Sequence, residues 1–120
     1  MKNSITYLLI AVAFIGLSLQ DEKLNTDHMI VNNTNENFVV TVELQDKAKD
    51  PTFGTAMYEI PAGSAMIVSQ VQGQKDFVTP TSYYKYKIMA GKTDVDLNKL
   101  HNWTYEDVSE TNRRFQIIIE

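Results

Sequence analysis

The stretch FVVTVELQ, residues 38–45, alternates without a break. Phe38, Val40, Val42 and Leu44 fall on one side, and Val39, Thr41, Glu43 and Gln45 on the other. A period of two with this much β-branched content predicts a half-buried strand. The pattern recurs along the chain. HMIV, residues 28–31, is a short apolar run, and NNTNEN, residues 32–37, is a turn cluster that predicts a hairpin into the first stretch. After the polar break DKAKDPT, residues 46–52, the segment 53–60 sets Ala56, Tyr58 and Ile60 on one face. PAGS, residues 61–64, forces a turn, because proline fixes φ and glycine reaches conformations that other residues avoid.

Three further segments complete the pattern. AMIVSQV, residues 65–71, reads as a strand closed by QGQKD, residues 72–76. SYYKYKIMA, residues 82–90, sets Tyr84, Tyr86 and Ile88 opposite Tyr83, Lys85, Lys87 and Met89, and RRFQIIIE, residues 113–120, aligns Phe115, Ile117 and Ile119. Six to seven short strands separated by turn signals, with almost no helical period, predict an all-β fold: an antiparallel, immunoglobulin-like β-sandwich, with a small barrel as the alternative. The sandwich is expected to occupy residues 28–120 as one domain. IVNNTNENFVVTV followed by YEIPAGSAMIV resembles small exported bacterial cell-envelope proteins of immunoglobulin-like fold. The resemblance implies the fold and supplies no active site.

The N-terminal segment predicts export. One lysine, Lys2, precedes the apolar run ITYLLIAVAFIGLSL, residues 5–19, which ends in small residues before the first acids at Asp21 and Glu22. This is the layout of a secretory signal peptide over residues 1–20, cleaved after Ser18 or Gln20 and followed by a flexible leader, residues 21–27. The run is shorter than the roughly 20 residues that span a bilayer, and an uncleaved anchor is the alternative, the one route by which this chain would meet a membrane. The expected location is therefore periplasmic or extracellular. With no cysteine in the chain, neither lipid attachment to a cysteine nor a disulfide is available. Beyond residue 20 all 15 acids but only ten of the 11 basic residues remain, a net charge of −5 that repels phosphate backbones and excludes nucleic acid as the expected partner.

Little in the chain looks like chemistry. In TDVDLNKLHNW, residues 93–103, Asp94, Asp96 and Asn98 are spaced like the first ligands of a calcium loop. Such a loop needs glycine at its sixth position and glutamate at its twelfth, and Lys99 and Tyr105 stand there instead. The expected reading is a short helical turn capped by Thr93, with Leu97, Leu100 and Trp103 packed on the sheet and no metal bound. The two histidines, His28 and His101, have no nucleophile in sequence register with them, so no catalytic residue and no cofactor is expected. Tyr83, Lys85 and Lys87 are the candidate surface-binding residues, since exposed rings stack on sugars and lysines reach acidic groups. Two asparagine glycosylation triplets occur, at Asn32 and Asn102.

The leading functional expectation is a non-enzymatic exported module acting by protein contact in the cell envelope, through loops such as 32–37 and 51–55. A carbohydrate-binding domain using the Tyr83 surface is the rival, and a small hydrolase the third.

Overall fold

The computed structural model of the chain describes residues 23–45 and 55–120. The predicted signal segment and the polar break 46–52 lie outside the described residues. Seven strands occur among them: β1 (Leu24–Asn32), β2 (Phe38–Leu44), β3 (Ala56–Ile60), β4 (Ala65–Gln74), β5 (Tyr84–Ala90), β6 (Thr104–Ser109) and β7 (Asn112–Ile119), with one helical turn, α1 (Pro80–Tyr83), ahead of β5. They form two sheets, one in the order β4-β1-β7-β6 and the other in the order β3-β2-β5.

Alternation explains how the sheets face each other. Ile30 of β1 and Phe115, Ile117 and Ile119 of β7 pack against Phe38, Val40 and Val42 of β2 and Tyr84 and Tyr86 of β5, all buried. The predicted core residues Val40, Val42, Phe115 and Ile117 are all among them, while Val39 is half-buried on the other side of β2. β1 also turns polar residues inward, and each has a partner. The Thr26 hydroxyl accepts the Val78 N–H at 3.0 Å, and Asn32 donates to the carbonyls of Glu36 and Ile60 at 2.8 and 2.9 Å.

Several expectations are corrected. The four-stranded sheet is mixed, because β1 and β7 pair in parallel over eight residue pairs from Asn25–Asn112 to Asn32–Ile119. The two sheets do not close into a barrel. Residues 32–37 are not a hairpin turn but an arch between the sheets. Buried Asn32 braces it, its Oδ1 accepting from the N–H and hydroxyl of Thr34. The same turn residues serve either geometry; what decides is that β1 finds its neighbours in β4 and β7. β1 starts at Leu24, so residues 24–27 of the expected leader are strand, with Thr26 and Asp27 buried.

β4 is irregular in two places. Met29 pairs with Ile67 but His28 with Ser69, so Val68 is an extra residue, and Val68 and Ser69 are both buried as a bulge allows. A second shift falls between Leu24 and Thr26, where Gly73 takes φ +69° opposite β1.

Gly91 ends β5 at φ +97°, and a Cβ placed there would lie 2.6–2.8 Å from the Phe38 ring. Phe38 is fully buried and cannot withdraw. Gly91→Ala should therefore lower the unfolding free energy by about 2 to 4 kcal/mol, through strain at positive φ and overpacking together. Urea denaturation measures this, and a loss below about 0.5 kcal/mol would show that the Phe38 pocket is loose.

Candidate functional site

Among the described residues, one constellation resembles catalytic machinery, and it is buried. His28 lies at the middle of β1, fully enclosed, and the bulge at Val68 brings Ser69 to it: Nδ1 to the Ser69 Oγ is 2.7 Å and Nε2 to the Val78 carbonyl is 2.7 Å. A carbonyl only accepts, so Nε2 carries the proton and donates it, and neutral Nδ1 accepts from the serine hydroxyl. Burial holds the His28 pKa below the ordinary histidine value, opposed by the Val78 carbonyl and the charge of Asp27. The Tyr86 hydroxyl donates to the Pro80 carbonyl at 2.9 Å, and burial raises its pKa, with the Ser69 hydroxyl pulling the other way. The rings of Tyr84, Trp103 and Phe115 surround the imidazole at 6.0–6.5 Å between centroids. A serine and a histidine in hydrogen-bond register thus exist, both buried. Each satisfies a polar group of the other inside the core.

The stretch 93–103 is corrected in its shape. No helical turn forms at Thr93; the only helical residues in it are the 3₁₀ turn Leu100–Asn102, and Leu100 is 43% exposed rather than packed. Leu97 and Trp103 are buried as expected. The polar side chains close the loop on itself. Thr93 Oγ1 accepts the Val95 N–H, Asp96 Oδ1 accepts the Asn98 N–H at 2.9 Å, and Asn102 donates to the Asp96 carbonyl.

Asn98 has a further task. Its carboxamide accepts the Tyr86 N–H at 2.8 Å and donates to the Tyr86 carbonyl at 2.9 Å, as an adjacent strand would. β5 is an edge of its sheet, and this side chain stands in for the missing neighbour. Asn98→Ala should cost about 1 to 3 kcal/mol for the two bonds and raise amide exchange at Tyr86 above that of the flanking strand; unchanged exchange there would refute the edge-capping role.

The sequence-predicted binding residues do not share a face. The strand alternation does not reach Tyr83, because α1 ends on it and β5 begins at Tyr84. Tyr83 is half-buried and packed against the core beside Leu44, Val71 and Tyr84. Lys85 and Lys87 point outward, opposite Glu43 and Thr41 of β2. Of the predicted contact loops, 32–37 is held by the Asn32 hydrogen bonds, and residues 51–54 lie outside the described residues. Those bonds also use both amide hydrogens of Asn32, so the glycosylation triplet there marks a buried strut.

The most open part of the described surface is β6. All six of its residues are exposed, and among the described residues it pairs only with β7, from Thr104–Gln116 to Ser109–Asn112. Tyr105 is 55% and Val108 52% exposed. On the face of β6 that continues the core side, Arg113 lies 3.9 Å above the Tyr105 ring and 4.3 Å from the Phe77 ring, and its Nε donates to Asp107 at 2.7 Å. That guanidinium holds the Asp107 carboxyl below its usual range. On the outer face a polar row crosses the whole sheet: Glu106 opposite Arg114, Arg114 3.8 Å from Asp27, and Asp27 accepting from Gln70 at 3.1 Å.

No protein-family model, curated protein or solved structure matches this chain. Its site must be read from its own surface. Sequence patterning missed β6 because a strand exposed on both faces needs no apolar period; the one visible signal was TYEDV, a β-rich run interrupted by acids, directly ahead of the turn at Glu110 and Thr111. Among the described residues, no group of three or more histidine, aspartate or glutamate side chains converges in a way that could hold a metal ion.

Proposed function

We propose that this chain is an exported, non-enzymatic β-sandwich module of immunoglobulin-like class that acts by protein contact in the cell envelope. The observation that carries the contact role is β6, an edge strand whose six residues are all exposed, Tyr105 and Val108 among them. Paired polar groups inside a closed core and a rim strand that is paired on one side only among the described residues suit a scaffold that presents a surface better than they suit a catalyst. The two-sheet division into four and three strands supports the immunoglobulin-like assignment. Export rests on the basic and apolar N-terminal sequence, residues 1–20.

Site-specific photo-crosslinking in the native host tests the contact role, with the crosslinker placed in turn at Tyr105, Met57 and Leu100, each exposed. Protein adducts at any of these positions support the reading; glycan-bearing adducts at all of them, or none, overturn it. Intact-mass analysis of the same material tests export. The processed chain should begin at Leu19 or Asp21, and a chain retaining Met1 in the membrane fraction would favour the anchored form instead.

A further inference from the structure

The four sheet edges are not alike. β5 is capped by Asn98, β4 is broken by the irregularities at Val68 and Gly73, and β3 borders residues outside the described set. Among the described residues, β6 alone offers a regular, uncapped ladder, from Thr104 to Asp107. Its charges then select what can add to it. Glu106 and Asp107 lie on opposite faces of the strand, and each has an arginine as its inner neighbour, Arg114 and Arg113 respectively. On the outer face, Asp27, Arg114 and Glu106 alternate in sign along the row and end on an acid at the edge. Continuing both rows outward calls for a cation beside Glu106 and another beside Asp107, which are consecutive positions on any added strand.

The same charges disfavour a second copy of this chain. Two β6 strands overlapped in full and antiparallel would set Glu106 against Asp107 twice over, like charge directly opposite like charge. A different chain with two adjacent basic residues meets no such penalty. β7 shows what fits: it sets Arg113 and Arg114 opposite Asp107 and Glu106, and Phe115 opposite Tyr105, with the two rings 5.4 Å apart.

We propose that the uncapped edge of β6 binds an extended segment of a partner protein by strand addition, and that the segment carries two consecutive Lys or Arg residues followed by an aromatic or aliphatic one. This rests on the protein-contact reading and names its partner chemistry. Main-chain hydrogen bonds supply the adhesion, and the acid pair supplies the selection.

The probe is the synthetic hexapeptide Asn-Arg-Arg-Phe-Gln-Ile, with Asn-Glu-Glu-Phe-Gln-Ile as its charge-reversed control, added to the isotopically labelled protein. Chemical-shift changes and slowed amide exchange should be confined to residues 104–109 and be caused by the basic peptide. Raising the salt from about 0.05 to about 0.5 M should weaken binding, because the pairs are exposed. Glu106→Lys alters an exposed side chain and should keep the fold while weakening the basic peptide by about three- to tenfold and strengthening the acidic one. Equal binding of both peptides, no change at 104–109, or loss of protection in β7 through displacement of that strand would each overturn the proposal. The crosslinking arms separate the two levels of inference: protein adducts at Met57 or Leu100 with none at Tyr105 would leave the contact role standing and remove β6 as its site.

Discussion

Replacing His28 with alanine should lower the unfolding free energy by about 3 to 5 kcal/mol, through a cavity among Tyr84, Trp103 and Phe115 and the loss of partners for the Val78 carbonyl and the Ser69 hydroxyl. Equilibrium urea unfolding at neutral pH reads this directly, and a loss under about 1 kcal/mol would show that water or Tyr86 takes over both bonds. A pH dependence accompanies it. Because the folded-state pKa of His28 is lowered, the unfolded chain takes up a proton at pH values where the folded chain does not. The contribution is complete above the unfolded value of about 6.5 and is lost as the pH falls from there toward the folded pKa, at up to about 1.4 kcal/mol per pH unit. The hydrogen-bond inventory alone would accept the proton, since a protonated Nδ1 could donate to Ser69 and release its hydroxyl toward Tyr86. The surrounding apolar rings oppose it, and desolvation is the larger effect. His28→Gln should flatten the stability profile between about pH 6.5 and 5, above the main carboxylate range; an unchanged slope would assign the acid sensitivity to other groups.

The second large effect belongs to Trp103. Its ring is 6% exposed, lies 5.5 Å from that of Tyr86, and its indole N–H donates to the Leu97 carbonyl at 2.8 Å. Trp103→Ala should cost about 3 to 5 kcal/mol and release the loop from 93 to 102, so that exchange rises at Tyr86 as well as within the loop. Asp94→Asn, nine residues earlier in the chain and exposed, should stay within about 0.5 kcal/mol. Millimolar calcium should leave the melting temperature unchanged in both the parent and this variant. A calcium-dependent rise abolished by Asp94→Asn and by Asp96→Asn would reinstate the loop as a metal site.

The strands that bury one face were legible in the sequence, and those that do something else were not. β2, β5 and β7 show clean alternation because one side of each meets the opposite sheet. β1 hid its first half, since Thr26 and His28 occupy inward positions where an apolar residue would have marked the period. Hydrogen bonds across the core replace hydrophobicity there, and composition cannot announce a partner some 40 or 50 residues away, as Ser69 and Val78 are from His28. The arch at 32–37 looked like a hairpin for a related reason: turn residues report a change of direction and not which sheet receives the chain. Around Thr93 the hydroxyl and carboxylate that suit a helix N-terminus closed local turns instead. At Tyr83 the alternation counted along β5 does not apply, because that residue ends a helical turn and the strand begins only at Tyr84.

The parallel pairing of β1 with β7 bears on how the protein reaches its folded state. β1 and β7 are the two central strands of their sheet, yet they lie at opposite ends of the described chain, so their contacts close one of the longest loops available. Such contacts are reached slowly, typically in milliseconds to seconds for sandwiches, because the chain must lose most of its freedom before they form. A polypeptide still emerging from the ribosome has β1 to β5 in hand but lacks Phe115, Ile117 and Ile119, which fill the middle of the core. The sandwich can therefore close only once its last strand has been delivered. If the chain is exported as proposed, it would stay threadable until then, its order of synthesis acting as a timer on folding.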